Sequence, residues 1–503
     1  MAEFHDIAAT VGTLGLRTAA SPRHNILIQY VLAQLNFLRG FKVTTEDFPL
    51  LKWQTRNDAT LHGAGRLALQ SSGGKTQDVP IVGAIPWTAP TNGTPVTAEM
   101  VYVPLGVSIA TANVSGKIVL RDFGPTIKTP YAALFALSFF LSNDMEPLRN
   151  STGDRPYTYT PDKDLIDAGV AGAAGLISMI NVPRKDVESY FDPHSGTQFR
   201  LPGIYVGAAE AKVLKDAASR GLRASMSVEA DRGPAMQTQI RGRLQGTSND
   251  TIYVICHTDG TTWVQDSGIS AMLTLARYFS SRPKSSRGKT LEFVFTTGHL
   301  GYNGDTTYAL AAQLDKTYDT DNTVLAIALE HMGTKEILPR GSDTGAANGR
   351  ELAFTGKGEV CLWSVGPSTP LRKLSAASAQ RHKLDRMVLA AGIGAPNPSA
   401  VPDIVSFGGI GTGLHWHLIP TMAIVSGPWS LWAPGFGASA IDFSRLRKQT
   451  MAFADVIIGV GPLSKKEIAG DYTSYRSRRA NGTTWATEVP PPVYPPGPTA
   501  RST

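Results

Sequence analysis

Ten histidines occur in the 503 residues, and five of them (His257, His299, His331, His415 and His417) stand at or just past the ends of short apolar runs. Imidazole titrates near neutrality and is the commonest metal ligand, so such a concentration points to acid–base or metal chemistry. Glu330 directly precedes His331. Two histidines and a carboxylate with open positions make a competent mononuclear set, so His257, His299 and Glu330 are the predicted ligands of one divalent metal ion, zinc being compatible. Whether these three hold a metal or work without one, His331, His415 or Asp266 would serve as acid and base, and His299 is itself a catalytic candidate. A histidine at such a position could also be a core or capping residue with one satisfied hydrogen bond. Asp266 could be a ligand or an acid, but it precedes a helical pattern from Ser267 and is favoured as its N-cap. Cys256 precedes His257, and strand alternation sends the two to opposite faces, which argues against a Cys/His nucleophile pair. Trp263, Tyr302, Trp416, Trp429 and Trp432 lie near these residues in the sequence and would supply a stacking wall for a small-molecule substrate, or ordinary aromatic packing.

These side chains need a sheet to hold them. "TIYVIC", "LEFVFTT", "TVLAIALE" and "TMAIVS" are short, apolar on both faces and β-branched, as expected of strands covered by helices. In open α/β sheets, ligands bind beyond the carboxyl ends of the strands, which is where His257, His299, Glu330 and His331 fall. Ser267 to Ser280 predicts a helix with Ile269, Met272, Leu273 and Ala276 inward. Ser21 and Pro22 predict another helix start, with Leu27, Val31, Leu35 and Leu38 recurring until Gly40, and the strand "FKVTTEDF" follows. From about residue 95 the texture changes to short β-rich pieces with the helix-like "DLIDAGVAGAAGLISMIN", which predicts a small inserted module. The expected division is 1–94 and 241–470 for the main domain, 95–240 for the insert, and 471–503 for a Pro-rich extended tail. Tyr131 to Leu141 is too short to span a bilayer and could be a buried helix or a hydrophobic lid.

A chain of 503 residues exceeds what one core usually organises. Hydrophobic residues at 42% and charged residues at 18% are ordinary globular values. The net charge of +7 resides partly in "SSRPKSSRGK" and "RSRR", neither with the interleaved aromatics of a nucleic-acid surface. Two cysteines, Cys256 and Cys361, exclude a disulfide scaffold and a multi-thiolate zinc site. The N-terminus carries acidic residues where a secretory signal is basic, and no transmembrane segment is expected. The chain as written reads as cytoplasmic, or as secreted if a leader has been removed; a homo-oligomer through the insert or tail is compatible with either.

The runs "IYVICHTDGTTWVQDSGISAMLTLARYF" and "LEFVFTTGHLGYNGDTTYA", with "GLRTAASPRHNILIQYVLAQL" and "LIPTMAIVSGP", resemble the zinc aminopeptidase family that includes glutamate carboxypeptidase, transferrin receptor and glutaminyl cyclase. The insert, through "SGKIVLRD" and "LPGIYVG", resembles a protease-associated domain. The fold implied is a three-layer α/β peptidase-like domain with a mixed, mostly parallel sheet plus that small α/β insert. The resemblance further implies two zinc ions, a bridging aspartate and a glutamate base, with His257 as first ligand and Asp259 as its orienting partner. Carried over, the bridging position falls on Val264, the base on Gly298, the next ligand on His299 and the following one on Glu330. The last histidine falls within "WSLWAPGFG", which has none. A glycine cannot take a proton from water and a valine cannot bridge two metals, so a dinuclear zinc site is not expected.

Three functions follow from these residues. One is an enzyme with a rewired, His-rich site, metal-free or mononuclear, acting by hydrolysis or by proton transfer such as cyclisation, elimination or isomerisation. Another is a non-catalytic binding protein on the peptidase scaffold. The third is a zinc peptidase with displaced ligands, Asp266 as bridge and His415 or His417 as terminal ligand.

Overall fold

The computed structural model describes residues 2–70, 73–124, 129–153, 161–191, 198–301, 304–341 and 350–487. A nine-stranded mixed sheet organises the site. In spatial order its strands are Phe41–Thr55, Ala230–Leu244, Thr290–Thr296, Thr251–His257, Thr323–Leu329, Thr421–Ser426, Cys361–Val365, Met387–Ala390 and Ser138–Leu141. The four central strands from Thr290–Thr296 to Thr421–Ser426 run parallel, and antiparallel pairs flank them on both sides. The three strands that end at the predicted site are buried at every residue. Their both-faces-apolar sequences require that burial, because helices cover each face of a parallel sheet.

Pro22–Phe37 is the predicted helix, with Ser21 as N-cap accepting from the His24 amide and Leu27, Val31 and Leu35 buried. The helix expected from Ser267 begins earlier, at Trp263, and runs to Ser281. Its cap is Thr262, whose extended backbone lets Oγ1 accept from the Gln265 amide. Asp266 is therefore not the N-cap. Ile269, Met272, Leu273 and Ala276 are buried as predicted.

An eight-stranded sheet stands beside the first, in the order Thr76–Asp78, Gly65–Gln70, Arg223–Val228, Val96–Tyr102, Ile118–Asp122, Gly175–Met179, Gly203–Val206 and Gly83–Ala84. Its strands begin at Gly65, ahead of the residue 95 at which the sequence texture changes. "DLIDAGVAGAAGLISMIN" is a helix, Asp162–Val170, and then a strand, Gly175–Met179, not one helix. Gly172 turns between them with φ +76, a conformation alanine-rich helices do not continue through. Tyr131 to Leu141 is likewise split: helix Tyr131–Ala136 leads into Ser138–Leu141, which pairs antiparallel with Met387–Ala390 at the far edge of the large sheet. That places Ser138–Leu141 in the sheet rather than in a single buried helix.

The expected extended tail carries a helix, Tyr472–Ala480, and the short strand Thr484–Trp485, which pairs with Ala400–Val401. Its basic cluster is paired: Arg476 and Arg479 each reach Asp315 at 2.7 Å and Arg478 reaches Asp403 at 3.2 Å. The Pro-rich run beyond residue 487 lies outside the described residues. Among the described residues no helix is long and apolar enough to cross a membrane.

Candidate active site

Three strand ends meet at one point. His257 is the last residue of its strand, and its Nδ1 lies 2.7 Å from the Asp259 carbonyl. A carbonyl only accepts, so Nδ1 carries the proton and Nε2 presents a lone pair. That Nε2 faces Oε1 of Glu330 at 3.4 Å, and both atoms are buried without a hydrogen-bond partner. Glu330 follows its own strand and uses Oε2 to accept from the Ile410 amide at 2.8 Å. Its carboxylate is pressed against Gly409, which has φ +60 and where a Cβ would come within 1.9 Å of Oε2. His331, in a left-handed backbone at φ +50, donates Nδ1–H to the Ser426 carbonyl at 2.8 Å and so also presents Nε2 as a lone pair. Ligand atoms of His257, Glu330 and His331 all lie within 4.8 Å of one another. Such orphaned, convergent, buried acceptors fit one divalent cation, because lone pairs facing each other in a dry site repel unless a positive charge joins them.

His299 stands on a short turn after the third strand. Its Nδ1 is 3.0 Å from Asp305 Oδ2, its Nε2 is 3.6 Å from Glu330 Oε1, and its ring centre is 4.7 Å from that of His257. Burial alone would lower its pKa; the hydrogen bond and charge of Asp305, then Glu330 and Asp259, outweigh this and hold it up at about 9. Asp305 also caps the helix Thr306–Thr317 by accepting from the Thr307 amide at 2.8 Å. It escaped notice in the sequence, although an acid ahead of "TT" and a helical run is an N-cap signal.

Asp259 does not orient His257 through its carboxylate, which lies 3.7 Å from Nδ1; its backbone carbonyl does that. The carboxylate instead accepts from the amides of His299 and Leu300 at 3.3 and 2.8 Å, tying the first strand end to the third. Burial would raise its pKa, but the His257 side chain, the charge of His299 and the Leu300 amide hold it well below the usual range.

Asp266 is buried beside the equally buried guanidinium of Arg17, to which it is hydrogen-bonded. Burial pushes its carboxyl up to about 6 in spite of Arg17. Arg17 also donates to the Gly15 carbonyl at 2.6 Å and passes so close to Gly260 that a Cβ there would lie 2.8 Å from Nη2. Asp266 is thus engaged by a fixed cation and is not placed to bridge metals, while Val264 is buried in the core. His24, also missed from sequence, accepts or donates at Nε2 to Thr258 and Thr297 at 2.8 and 3.2 Å, behind His257.

His415 does not join the site. Its Nδ1 bonds the Tyr472 hydroxyl at 2.6 Å, its Nε2 the Ile404 carbonyl at 2.7 Å, and its ring stacks on Phe407 at 3.9 Å. His417 pairs with Asp315 at 3.2 Å. Asp266, His415 and His417 are thus each held by other partners and do not converge with His257 and Glu330. The tryptophans do not form one wall either: Trp416 donates to the Val405 carbonyl and packs on Tyr308, whereas Trp429 and Trp432 are buried in the main core. Trp263 lies over Gly12 at the start of its helix. Tyr302 is outside the described residues.

Burial lowers the His415 pKa to about 3. A group depressed from 6.5 contributes stability that is complete above pH 6.5 and is lost as pH falls toward its folded value. Between about pH 7.5 and about pH 4.5, wild-type protein should lose more of its melting temperature than a His415→Gln variant. Equal losses would show that this imidazole does not carry the acid sensitivity.

No family model matches the sequence, and no curated protein does. Solved structures do match. A peptidase M28 precursor from Shewanella amazonensis aligns at TM-score 0.63 and 16% identity over 93% of this chain and 94% of its own. The zinc aminopeptidase BSAP from Bacillus subtilis aligns at TM-score 0.59 and 17% identity over 93% and 96%. This chain has the zinc aminopeptidase fold. An aminopeptidase from Aneurinibacillus sp. strain AM-1, at TM-score 0.53 and 17% identity over 92% of each chain, shares it as well. The likeness covers the second sheet as well as the first, so the whole architecture is similar to these enzymes.

Proposed function

We propose that the chain is an enzyme on the zinc aminopeptidase scaffold that holds one divalent metal ion, and that it acts on a small molecule by hydrolysis of an amide or ester or by proton transfer such as cyclisation. The observation that carries this reading is the pair of buried, unpartnered acceptors His257 Nε2 and Glu330 Oε1 at 3.4 Å. His331 completes the ligand set in place of His299, because its Nε2 converges with theirs. A metal ion there would polarise a carbonyl or activate a water.

The role of proton carrier then passes from His331 to His299. A carboxylate accepts only, so Asp305 accepts from Nδ1–H, and with the pKa held up at about 9 the imidazolium also carries a proton on Nε2, directed toward Glu330. In this arrangement Nε2–H of the imidazolium, which Asp305 stabilises, gives its proton to the leaving group, and Nε2 is reprotonated by the attacking water or group. His299 thereby does the work that the family resemblance assigns to a glutamate at the position of Gly298. Asp259 keeps the two strand ends in register.

Chelator treatment should abolish turnover of amino-acyl amides, esters or N-terminal glutaminyl peptides, and one equivalent of zinc should restore it. In His257→Ala protein, restoration should fail. Turnover that survives chelation would contradict the metal reading, and a protein with neither metal nor turnover would support the binding-protein function instead.

A further inference from the structure

A cavity of about 540 Å³ opens where the hairpin strand Glu351–Gly358, the start of the strand Met387–Ala390 and the first turn of the helix Phe443–Val460 meet. A volume of this size suits a small molecule. The cavity lies at the same end of the large sheet's strands as the metal-ligand set: Cys361 pairs with Ser426, whose carbonyl holds His331, and the Cys361 amide donates to the Arg386 carbonyl at 2.8 Å. None of its walls belongs to that set.

Charge in the cavity is unequally used. Its carboxylates Asp144, Asp385 and Asp442 are each occupied by the fold. Asp385 accepts from Arg445 Nε at 3.1 Å, Asp442 accepts from the amides of Ser444 and Arg445 as the helix cap, and Asp144 accepts from Ser142 Oγ at 2.6 Å. Arg445 in turn donates to Asp385 and to the carbonyls of Thr334 and Glu359. Lys357 and Lys448, by contrast, are exposed and form no ion pair among the described residues. Arg386 is 5% exposed, and its Nη1 is buried with no partner. Its Nη2 meets Glu336 only at 3.5 Å, beyond the about 2.7–2.9 Å of a charge-assisted bond. Elsewhere among the described arginines the orphaned atom is Nε; Arg386 alone leaves a terminal nitrogen of the fork unused.

The backbone holds this arginine in place at a cost. Arg386 has φ +49, a left-handed conformation that is strained for a residue with a side chain, and both oxygens of Asp144 accept from its amide at 3.0 Å. Glycines shape the opposite wall. A Cβ at Gly358 would come within 2.6 Å of Arg445 Nε and Asp385 Oδ2, whereas nothing lies within 4 Å of one at Gly356, which has φ +79.

We propose that this cavity binds phosphate, free or as the monoester of a small molecule, between Arg386 and the ammonium groups of Lys357 and Lys448. Phosphate carries about −1.5 to −2 charges near neutral pH, which matches these cations better than the single charge of a carboxylate does. Its oxygens accept from a guanidinium fork and from ammonium groups together. The site is independent of the function proposed above, since no candidate metal ligand or proton carrier lines it.

Calorimetric titration of the intact protein with inorganic phosphate, glycerol phosphate, acetate and neutral glycerol, at matched ionic strength, tests this. Wild type should bind phosphate at least about 10-fold more tightly than acetate and should not bind glycerol. Glycerol phosphate preferred identifies a monoester ligand; phosphate preferred identifies the free ion. Arg386→Met should weaken phosphate by about 10- to 100-fold, and the double variant Lys357→Ala with Lys448→Ala by about 3- to 10-fold. His257→Ala should leave the affinity unchanged, which separates this cavity from the metal site. Binding lost in His257→Ala and retained in Arg386→Met would put the phosphate on the metal and overturn the proposal while leaving the metal reading intact. No binding to wild type overturns it as well. If Arg386→Met does not fold, the double lysine variant decides, because both side chains are exposed: unchanged phosphate affinity there contradicts the site.

Discussion

Replacing His299 by alanine lowers turnover by about 10²- to 10⁴-fold, the usual contribution of a positioned acid or base, and leaves the metal in place. The ligand lone pairs of His257, Glu330 and His331 converge without it, so metal content is the readout that separates a proton carrier from a ligand. The Asp305→Asn variant should fall between wild type and His299→Ala in rate, because an amide can hold Nδ1 but cannot stabilise the imidazolium. Loss of metal in His299→Ala would return His299 to the ligand set that the sequence alone suggested. Retained turnover would remove it from the chemistry.

Arg17→Met costs about 3–5 kcal/mol of stability, the penalty for breaking a buried ion pair by removing one partner. Arg17 and Asp266 are both essentially inaccessible, and Asp266 Oδ2 already lacks a hydrogen bond, so removing the guanidinium strands a buried carboxylate. Adding Asp266→Asn to Arg17→Met removes the stranded charge and should recover part of the loss. Urea midpoints of the single and double variants check this. A single variant as stable as wild type would mean that the pair contributes nothing, and that Asp266 is neutral in the folded protein.

Several parts of this architecture are legible in the sequence for a physical reason. Strands apolar on both faces must be covered, and the strand-end rule then brings His257, His299, Glu330 and His331 together from positions up to 74 residues apart. Other parts are not. Arg17 meets Asp266 across 249 residues and His24 meets Thr258 across 234, and no local pattern encodes a partner at that separation. His415 follows the same loop-proximity rule as His257, His299, Glu330 and His331, but it sits on a six-residue helix, Gly411–Trp416, and the rule does not say which way a helix side chain faces. Alanine content hid the break at Gly172, because propensity favours helix on both sides of a turn that only the backbone dihedral reveals. Thr262 took the cap from Asp266 because the residue that caps is the one whose backbone is extended, which is decided by the preceding loop.

Metal equivalents per chain, measured by inductively coupled plasma mass spectrometry on protein purified without chelator and then equilibrated with excess zinc, test the central claim most directly. The proposed function predicts one tightly held equivalent, lost in His257→Ala and in His331→Ala. Two equivalents in wild type, or none after equilibration, would contradict a single-metal site built on His257, Glu330 and His331.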